Sequence, residues 1–357
     1  MLLDGLFLPL TTPFYADGAS YWRKLEHNVA RYSRTPAAGM IALGPWSEAA
    51  GLSDEERRET LRIVSETAAA EKVLIACAAA ESVRNALMLA EQAAAAKFDA
   101  VLLPAPMQWQ RLMREGSLKQ VEMFFRAVAD RAELPVILWS DATGLASGTG
   151  FVMPVEMAAE LAAHQNVIGI IDPGLTVERL DKITSATQNL KREVTVTTVF
   201  AAVTRRMLNA PGDGAATFVS AEALSGGASV AVVPPKPAIK TRTKMVGFQI
   251  VSAAAASEMA PLLEAGVAGV MPELAACAPQ GCHEVWAAFK DGDPALARLK
   301  AARLREADEV VLGLGVAGVK YACDLNGYFG GVPRLPRVGL TAEERARVEK
   351  ALSEVRN

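Results

Sequence analysis

The feature that most constrains the fold of this chain is a regular alternation of short apolar runs with longer segments of helical period. Eight apolar runs of strand length occur among the 357 residues, starting at Gly5, Gly39, Val73, Ala100, Pro135, Val167, Phe248 and Val267. This alternation is typical of βα units around a parallel sheet. Because eight such strands close on themselves, the pattern predicts an α/β protein with a (β/α)8 TIM barrel. Hydrophobic residues make up 51% of the chain, which is enough for a core of that size.

One interval between strands is much longer than the others. It separates Ile171 from Phe248 and leaves about sixty residues that a plain βα repeat does not need. We therefore predict an insertion between helix 6 and strand 7 of the barrel, at about residues 187–246. The barrel then covers residues 1–275, and the remaining residues, 276–357, form a C-terminal helical region.

The predicted insertion carries its own signals. It contains a strand-like run from Val194, a short helical piece, and a proline-stiffened segment in which Lys236, Lys240, Arg242 and Lys244 occur with no acid among them. A chain that leaves after a barrel helix starts from the N-terminal face of the barrel. That position favours a packing or subunit-contact role. The alternative is that these cations bind an anion or supply an amine.

Composition excludes several classes of protein. The formal charge is 37 − 40 = −3, with no basic cluster at either end, so we expect no nucleic-acid partner. The four cysteines lie mostly in apolar stretches, as buried thiols in a reducing compartment do. There is no basic leader and no run of 18 apolar residues, which predicts a cytoplasmic protein with no membrane partner.

Several separated segments together carry a family resemblance. They include PLTTPFYADG from Pro9, GPWSEAAGLSDEERRETLRIV from Gly44, NVIGIIDPG from Asn166 and VKYACDLNGYFGGVPRLPRVGLT from Val319. In order and spacing the chain resembles the dihydrodipicolinate synthase / N-acetylneuraminate lyase family of pyruvate-handling class I aldolases, over nearly its whole length apart from the insertion. The resemblance implies a homodimer or homotetramer, and we expect no cofactor and no metal.

The same resemblance shows which chemistry is missing. Family members place a lysine at the end of the sixth strand, where its amine condenses with a 2-oxo acid, and this chain has Ile171 there. The family's proton-shuttling tyrosine is matched by Trp139, whose indole N–H donates a hydrogen bond but cannot act as a general base. The usual Schiff-base mechanism is therefore predicted to be absent.

Other family positions are altered as well. Two threonines of the second-strand loop are replaced by Pro45 and Trp46, and a glycine by Ser47, while Glu48 is retained. The tyrosines after the fourth strand become Met107 and Gln108, and the substrate arginine aligns near Gly144. The catalytic residues are thus unknown. The candidate pocket comprises Thr11, Pro45, Trp46, Ser47, Glu48, Met107, Gln108, Trp139, Asp141, Ile171, Asp172 and Ser252.

Some of these residues have two interpretations. Asp141 and Asp172 follow neighbouring strands and could converge as a general base or as ligands of a hard cation, but Asp172 could equally cap the helix that follows it. Trp46 and Trp139 could form a flat wall for a ring or an acyl group, or they could plug the old pocket. Cys77 has no nearby cation to lower its pKa and is expected to be an inert buried thiol.

Three functions stay open at this point, and whether the chain is an enzyme is one of the open questions. The first is a non-aldolase binder of a small organic acid. The second is a lyase or hydratase that acts on a 2-oxo acid through rim carboxylates or a metal. The third is a Schiff-base lyase that takes its lysine from the insertion. The state of the barrel mouth, open or filled by Trp46, Trp139 and Met107, is the observation that separates them best.

Overall fold

In the computed structural model, which describes residues 1–107, 117–140, 151–209 and 239–355, eight parallel strands close into a barrel. In barrel order these strands are β1 (Gly5–Pro9), β10 (Gly269–Val270), β9 (Gln249–Ser252), β6 (Val167–Asp172), β5 (Val136–Trp139), β4 (Ala100–Pro104), β3 (Val73–Cys77) and β2 (Gly39–Ala42). Each of the eight apolar runs in the sequence supplies one strand. The predicted (β/α)8 TIM barrel is therefore confirmed.

Helices cover the outside of the barrel, each packing an apolar stripe against the strands. They are α1 (Trp22–Ser33), α2 (Asp54–Thr67), α3 (Val83–Ala95), α4 (Ser117–Ala129), α5 (Val155–Ala162), α6 (Val177–Thr187) and α8 (Met259–Glu264). Helix α2 begins at a capping box, in which Ser53 accepts the backbone N–H of Glu56 and Glu56 accepts that of Ser53.

The chain after the last strand is helical. It forms α9 (Pro279–Lys290), α10 (Pro294–Arg303), α11 (Arg305–Ala307), a π-helical turn (Asp308–Leu312), α12 (Gly315–Leu325) and α13 (Ala342–Ala351). Between α12 and α13 an irregular segment returns to the barrel rim. No helix in the described ranges is long and apolar enough to cross a membrane.

The insertion contributes an antiparallel hairpin and a short helix. Strands β7 (Arg192–Thr197) and β8 (Thr241–Val246) pair with each other and lie outside the barrel sheet, and α7 (Arg205–Asn209) follows β7. Lys236 lies outside the described residues.

Contacts place this insertion at the N-terminal face of the barrel. Val194 and Val196 pack on Leu2, just before β1. The backbone N–H of Arg205 donates to Asp99, just before β4, at 2.6 Å. Because each of these barrel residues precedes its strand, the described part of the insertion lies at the end of the barrel opposite to the carboxyl ends of the strands.

The barrel wall explains one glycine of the motif NVIGIIDPG. A Cβ atom on Gly169 would lie 2.4 Å from the backbone oxygen of Gln249 on the neighbouring strand. Neither backbone can move without breaking the ladder between β6 and β9, so only glycine fits there.

Candidate functional site

The orientation of the side chains at the end of β6 follows from two contacts. Ile171 pairs with Trp139 of β5 on one side and with Val251 of β9 on the other. The next residue, Asp172, points outward, because its carboxylate contacts Arg179 of helix α6, with 2.6 Å between Oδ2 and Nε. Successive side chains of a strand point to opposite faces, so Ile171 points into the barrel. It is 1% exposed, and its side chain carries no nucleophile.

A cavity of about 430 Å³ opens at the carboxyl ends of strands β2 to β5. One wall is apolar and comes from the strand ends and helix α3: Cys77, Leu89, Leu102, Pro104, Met107 and Trp139. The other wall comes from the loop after β2, the start of helix α2 and the C-terminal segment, and it includes Pro45, Glu48, Arg57 and Arg337. Among the described residues, this side of the barrel rim is therefore not filled: Trp139 and Met107 line the cavity, whereas Trp46 and Ile171 are not part of its lining.

Glu48 is the best-buried acid of this lining. Its carboxylate lies 2.6 Å from Nζ of Lys320, which comes from α12, and the two side chains are 1% and 0% exposed. The Lys320 amine also donates to the backbone oxygen of Val332 at 3.0 Å and lies over the ring of Phe14, 4.2 Å from its centroid. Burial lowers the pKa of Lys320, and the charge of Glu48 opposes that shift.

The C-terminal segment is held against the same loop by Arg334. Its guanidinium forms two hydrogen bonds to the Glu56 carboxylate, at 2.6 and 2.8 Å, and donates to the backbone oxygens of Gly18 and Gly51. These hydrogen bonds lower the pKa of Glu56 to about 2. The backbone N–H of Arg334 donates to Glu48 at 3.0 Å. The segment that carries Arg337 is thus fixed over the rim by a paired arginine.

Both oxygens of the Asp172 carboxylate have partners within the protein. Its second oxygen accepts the backbone N–H of Gly174 at 2.9 Å, and Arg179 also reaches Ser140 and the backbone oxygen of Met153. The expectation that Asp172 caps the following helix is wrong, because Thr176 accepts the N–H of Arg179 and caps α6. Within the described lining of the cavity, Asp172 is absent.

The remaining predicted residues fall into three groups. Thr11, Ser47 and Ser252 are buried, and two of them bond locally: Ser47 donates to the oxygen of Gly44, and Ser252 accepts the N–H of Ala254. Trp46 is half-buried, and its Nε1 has no hydrogen-bond partner among the described residues. Gln108 and Asp141 lie outside the described residues, as does Gly144.

The environment of Cys77 is that of an unreactive thiol. Cys77 ends β3 and lines the cavity, but burial raises the pKa of its thiol to about 12. All four cysteines are buried and free.

Metal-binding side chains do not cluster in the part of the chain that the structure describes, where no group of three or more His, Cys, Asp or Glu residues could hold an ion. Lys240 and Lys244 belong to the insertion and so lie at the opposite face from the cavity. Arg242 lies over the ring of Phe200, also in the insertion.

Sequence reasoning missed five cations near the rim: Arg57, Arg179, Lys320, Arg334 and Arg337. Two of the quoted motifs held a signal: Arg57 lies in GPWSEAAGLSDEERRETLRIV, and Lys320, Arg334 and Arg337 are the basic residues of VKYACDLNGYFGGVPRLPRVGLT.

A closed eight-stranded barrel with a cavity at the carboxyl ends of its strands defines the (β/α)8 barrel class of proteins. The profile of the Dihydrodipicolinate synthetase family matches residues 2–226, and the chain belongs to that family.

Three similar proteins show how far the sequence of this chain differs from those of its relatives. A 4-hydroxy-tetrahydrodipicolinate synthase of Acidiphilium cryptum is 25% identical over 353 residues, which cover 99% of this chain and 98% of that protein. The alignment with the Pseudoalteromonas atlantica enzyme of the same name is 29% identical but covers 51% of this chain and 59% of the relative. The solved 4-hydroxy-tetrahydrodipicolinate synthase of Methylacidiphilum fumariolicum SolV superposes with a TM-score of 0.74 at 20% identity, covering 99% of this chain and 96% of that one. This last similarity concerns the fold.

Proposed function

We propose that this protein binds a small organic acid without forming a covalent bond to it, in the cavity at the barrel mouth. The observation that carries the proposal is the cavity that Trp139 lines at the carboxyl ends of strands β2 to β5. We infer that Ile171 and Trp139 occupy the positions of the family lysine and tyrosine. The cavity offers room for an acid, and Trp139, which lines it, offers no base. Ile171, on the neighbouring strand and outside the described lining, offers no amine.

Other amines are poorly placed to replace the missing one. The described lining of the cavity contains no lysine. Lys320 lies behind Glu48, has no exposed surface, and already contacts a carboxylate, a backbone oxygen and a ring. Lys240 and Lys244 are at the far face of the barrel. A Schiff base between the cavity and a lysine of the described insertion would require the insertion to leave the N-terminal face.

The rim carboxylates also favour binding over acid–base chemistry. Asp172 is paired with Arg179, and Glu48 is paired with Lys320. The oxygens of both carboxylates already have partners: Lys320 and the Arg334 N–H for Glu48, and Arg179 and the Gly174 N–H for Asp172. A lyase or hydratase reaction through these groups therefore has no observation in its favour.

Calorimetric titration and thermal denaturation with a panel of monocarboxylic and 2-oxo acids test the proposal. A ligand that binds only the folded protein stabilises it by about 2.7 kcal/mol at a concentration of 100 Kd. We expect at least one acid to raise the melting temperature while neutral amides of the same shape do not. The absence of a shift for every acid would contradict the proposal.

The quaternary structure and location remain predictions. We expect a homodimer or homotetramer in the cytoplasm, with no nucleic-acid or membrane partner. Light scattering coupled to size-exclusion chromatography measures the mass, and a monomer at micromolar concentration would contradict the first expectation.

A further inference from the structure

The charged side chains that line the cavity differ in how closely they are paired with other groups of the protein. The carboxylate of Glu48 is 2.6 Å from Lys320 and accepts the N–H of Arg334. The guanidinium of Arg57 donates to the backbone oxygen of Ala49 and pairs with Asp54 at 3.2 Å. Both of these lining charges already have close partners.

Arg337 differs from them. Its Nη1 is 3.6 Å from Glu48, which is beyond hydrogen-bond length, and its side chain is 52% exposed. Lys320 already neutralises Glu48 from the other side. Within the described ranges, Arg337 therefore presents a guanidinium to the cavity with most of its donors available, in the planar geometry that suits a carboxylate.

The wall of the cavity that faces Arg337 is apolar. Trp139, Met107, Leu102 and Pro104 give an apolar surface that no small polar acid can cover. Glu81 lines the cavity near Met107, whose N–H it accepts at 3.1 Å. Because Arg57 is already engaged, a second carboxylate of the ligand would find no available cation among the described residues of the lining.

We propose that Arg337 anchors the ligand's single carboxylate and that the ligand has an aromatic or branched apolar body lying against Trp139 and Met107. This inference rests on the proposed function and adds the ligand class and the residue that selects it. The anchoring cation comes from the C-terminal segment and not from the loop after β5. Because each apolar carbon buried against this wall adds affinity, pyruvate is too small to be the preferred ligand.

Calorimetry with 3-phenylpropanoate, 3-phenylpropanamide, phenylsuccinate and pyruvate tests the inference. In the unaltered protein we expect 3-phenylpropanoate to bind at least tenfold more tightly than each of the other three. Arg337→Gln should weaken 3-phenylpropanoate at least tenfold and leave the amide unchanged, and Arg337→Lys should recover part of the loss. Arg298→Gln is the matched control, since Arg298 is an exposed arginine of α10 outside the described cavity lining.

The outcomes separate the two proposals. If 3-phenylpropanoate binds and Arg337→Gln does not weaken it, or if pyruvate binds as tightly, this inference is wrong while the proposed function stands. If no acid binds the unaltered protein, both are wrong. Equal urea unfolding midpoints for the Arg337 variants and the parent show that any loss of binding does not come from unfolding.

Discussion

The buried pair of Glu48 and Lys320 makes a strong prediction about stability. We expect Lys320→Met to keep most of the apolar stem but to leave the buried Glu48 carboxylate without its close cation, since the remaining one, Arg337, is 3.6 Å away. Both side chains are at most 1% exposed and lie 2.6 Å apart, so little water reaches the stranded charge. Removing one partner of such a pair costs about 3–5 kcal/mol. At about 2 °C per kcal/mol for a large domain, the melting temperature should fall by about 6–10 °C.

A matched control separates burial from pairing itself. Lys300 and Glu284 form a pair of similar length, 2.8 Å, but their side chains are 26% and 45% exposed. Lys300→Met should therefore cost less than about 1 kcal/mol. The free energy of unfolding is measured by urea titration followed by circular dichroism.

A double variant tests whether the unpaired Glu48 charge causes the loss of stability. Adding Glu48→Gln to Lys320→Met removes the stranded charge and should recover at least half of the lost stability. Glu48→Gln alone should be milder than Lys320→Met, because burial already lowers the pKa of Lys320 and lets it shed its proton. A Lys320→Met loss no larger than that of Lys300→Met, or no recovery in the double variant, would refute this reasoning.

Three further predictions follow from the same region. Arg334 lowers the pKa of Glu56 from 4.5 to about 2, so the stability that this pair contributes should be complete above pH 4.5 and lost as the pH falls toward 2. Arg334→Gln should flatten that part of the curve of unfolding free energy against pH. An unchanged curve would contradict the pairing. All four cysteines are buried, and burial raises the pKa of Cys77 to about 12. Iodoacetamide at pH 7.5 should therefore label no cysteine in the folded protein and four after denaturation, as counted by intact mass. Rapid labelling of Cys77 in the folded protein would contradict this prediction. Ile171→Lys alone should give no aldolase turnover, because Trp139 cannot carry the proton, and robust activity of that single variant would show that the rest of the site is intact.

Much of the fold is visible in the sequence because barrel strands are local apolar runs. The eight runs, the long interval after Ile171 and the capping box at Ser53 each depend on neighbours in the chain. The N-terminal position of the insertion also follows from topology, since every helix of a βα unit ends at that face.

The candidate site was less accessible to sequence reasoning. Glu48 and Lys320 meet only because α12 packs against the rim, and a lysine in an apolar helix gives no sign of its partner. Arg337 is one of several basic residues near the end of the chain, and its exposure to the cavity depends on the hydrogen bonds of Arg334. Whether large side chains fill a pocket or line it depends on packing, which residue type alone does not determine.

Borohydride trapping is the most direct test of non-covalent binding. The protein is incubated with pyruvate and with 3-phenylpyruvate, reduced, and weighed intact, then digested to locate any modified lysine. We predict no added mass after reduction. In samples that are not reduced, we expect any bound acid to dissociate on dialysis, as a non-covalent ligand does. A stoichiometric adduct on Lys320, or on any other lysine reaching the barrel interior, would contradict it.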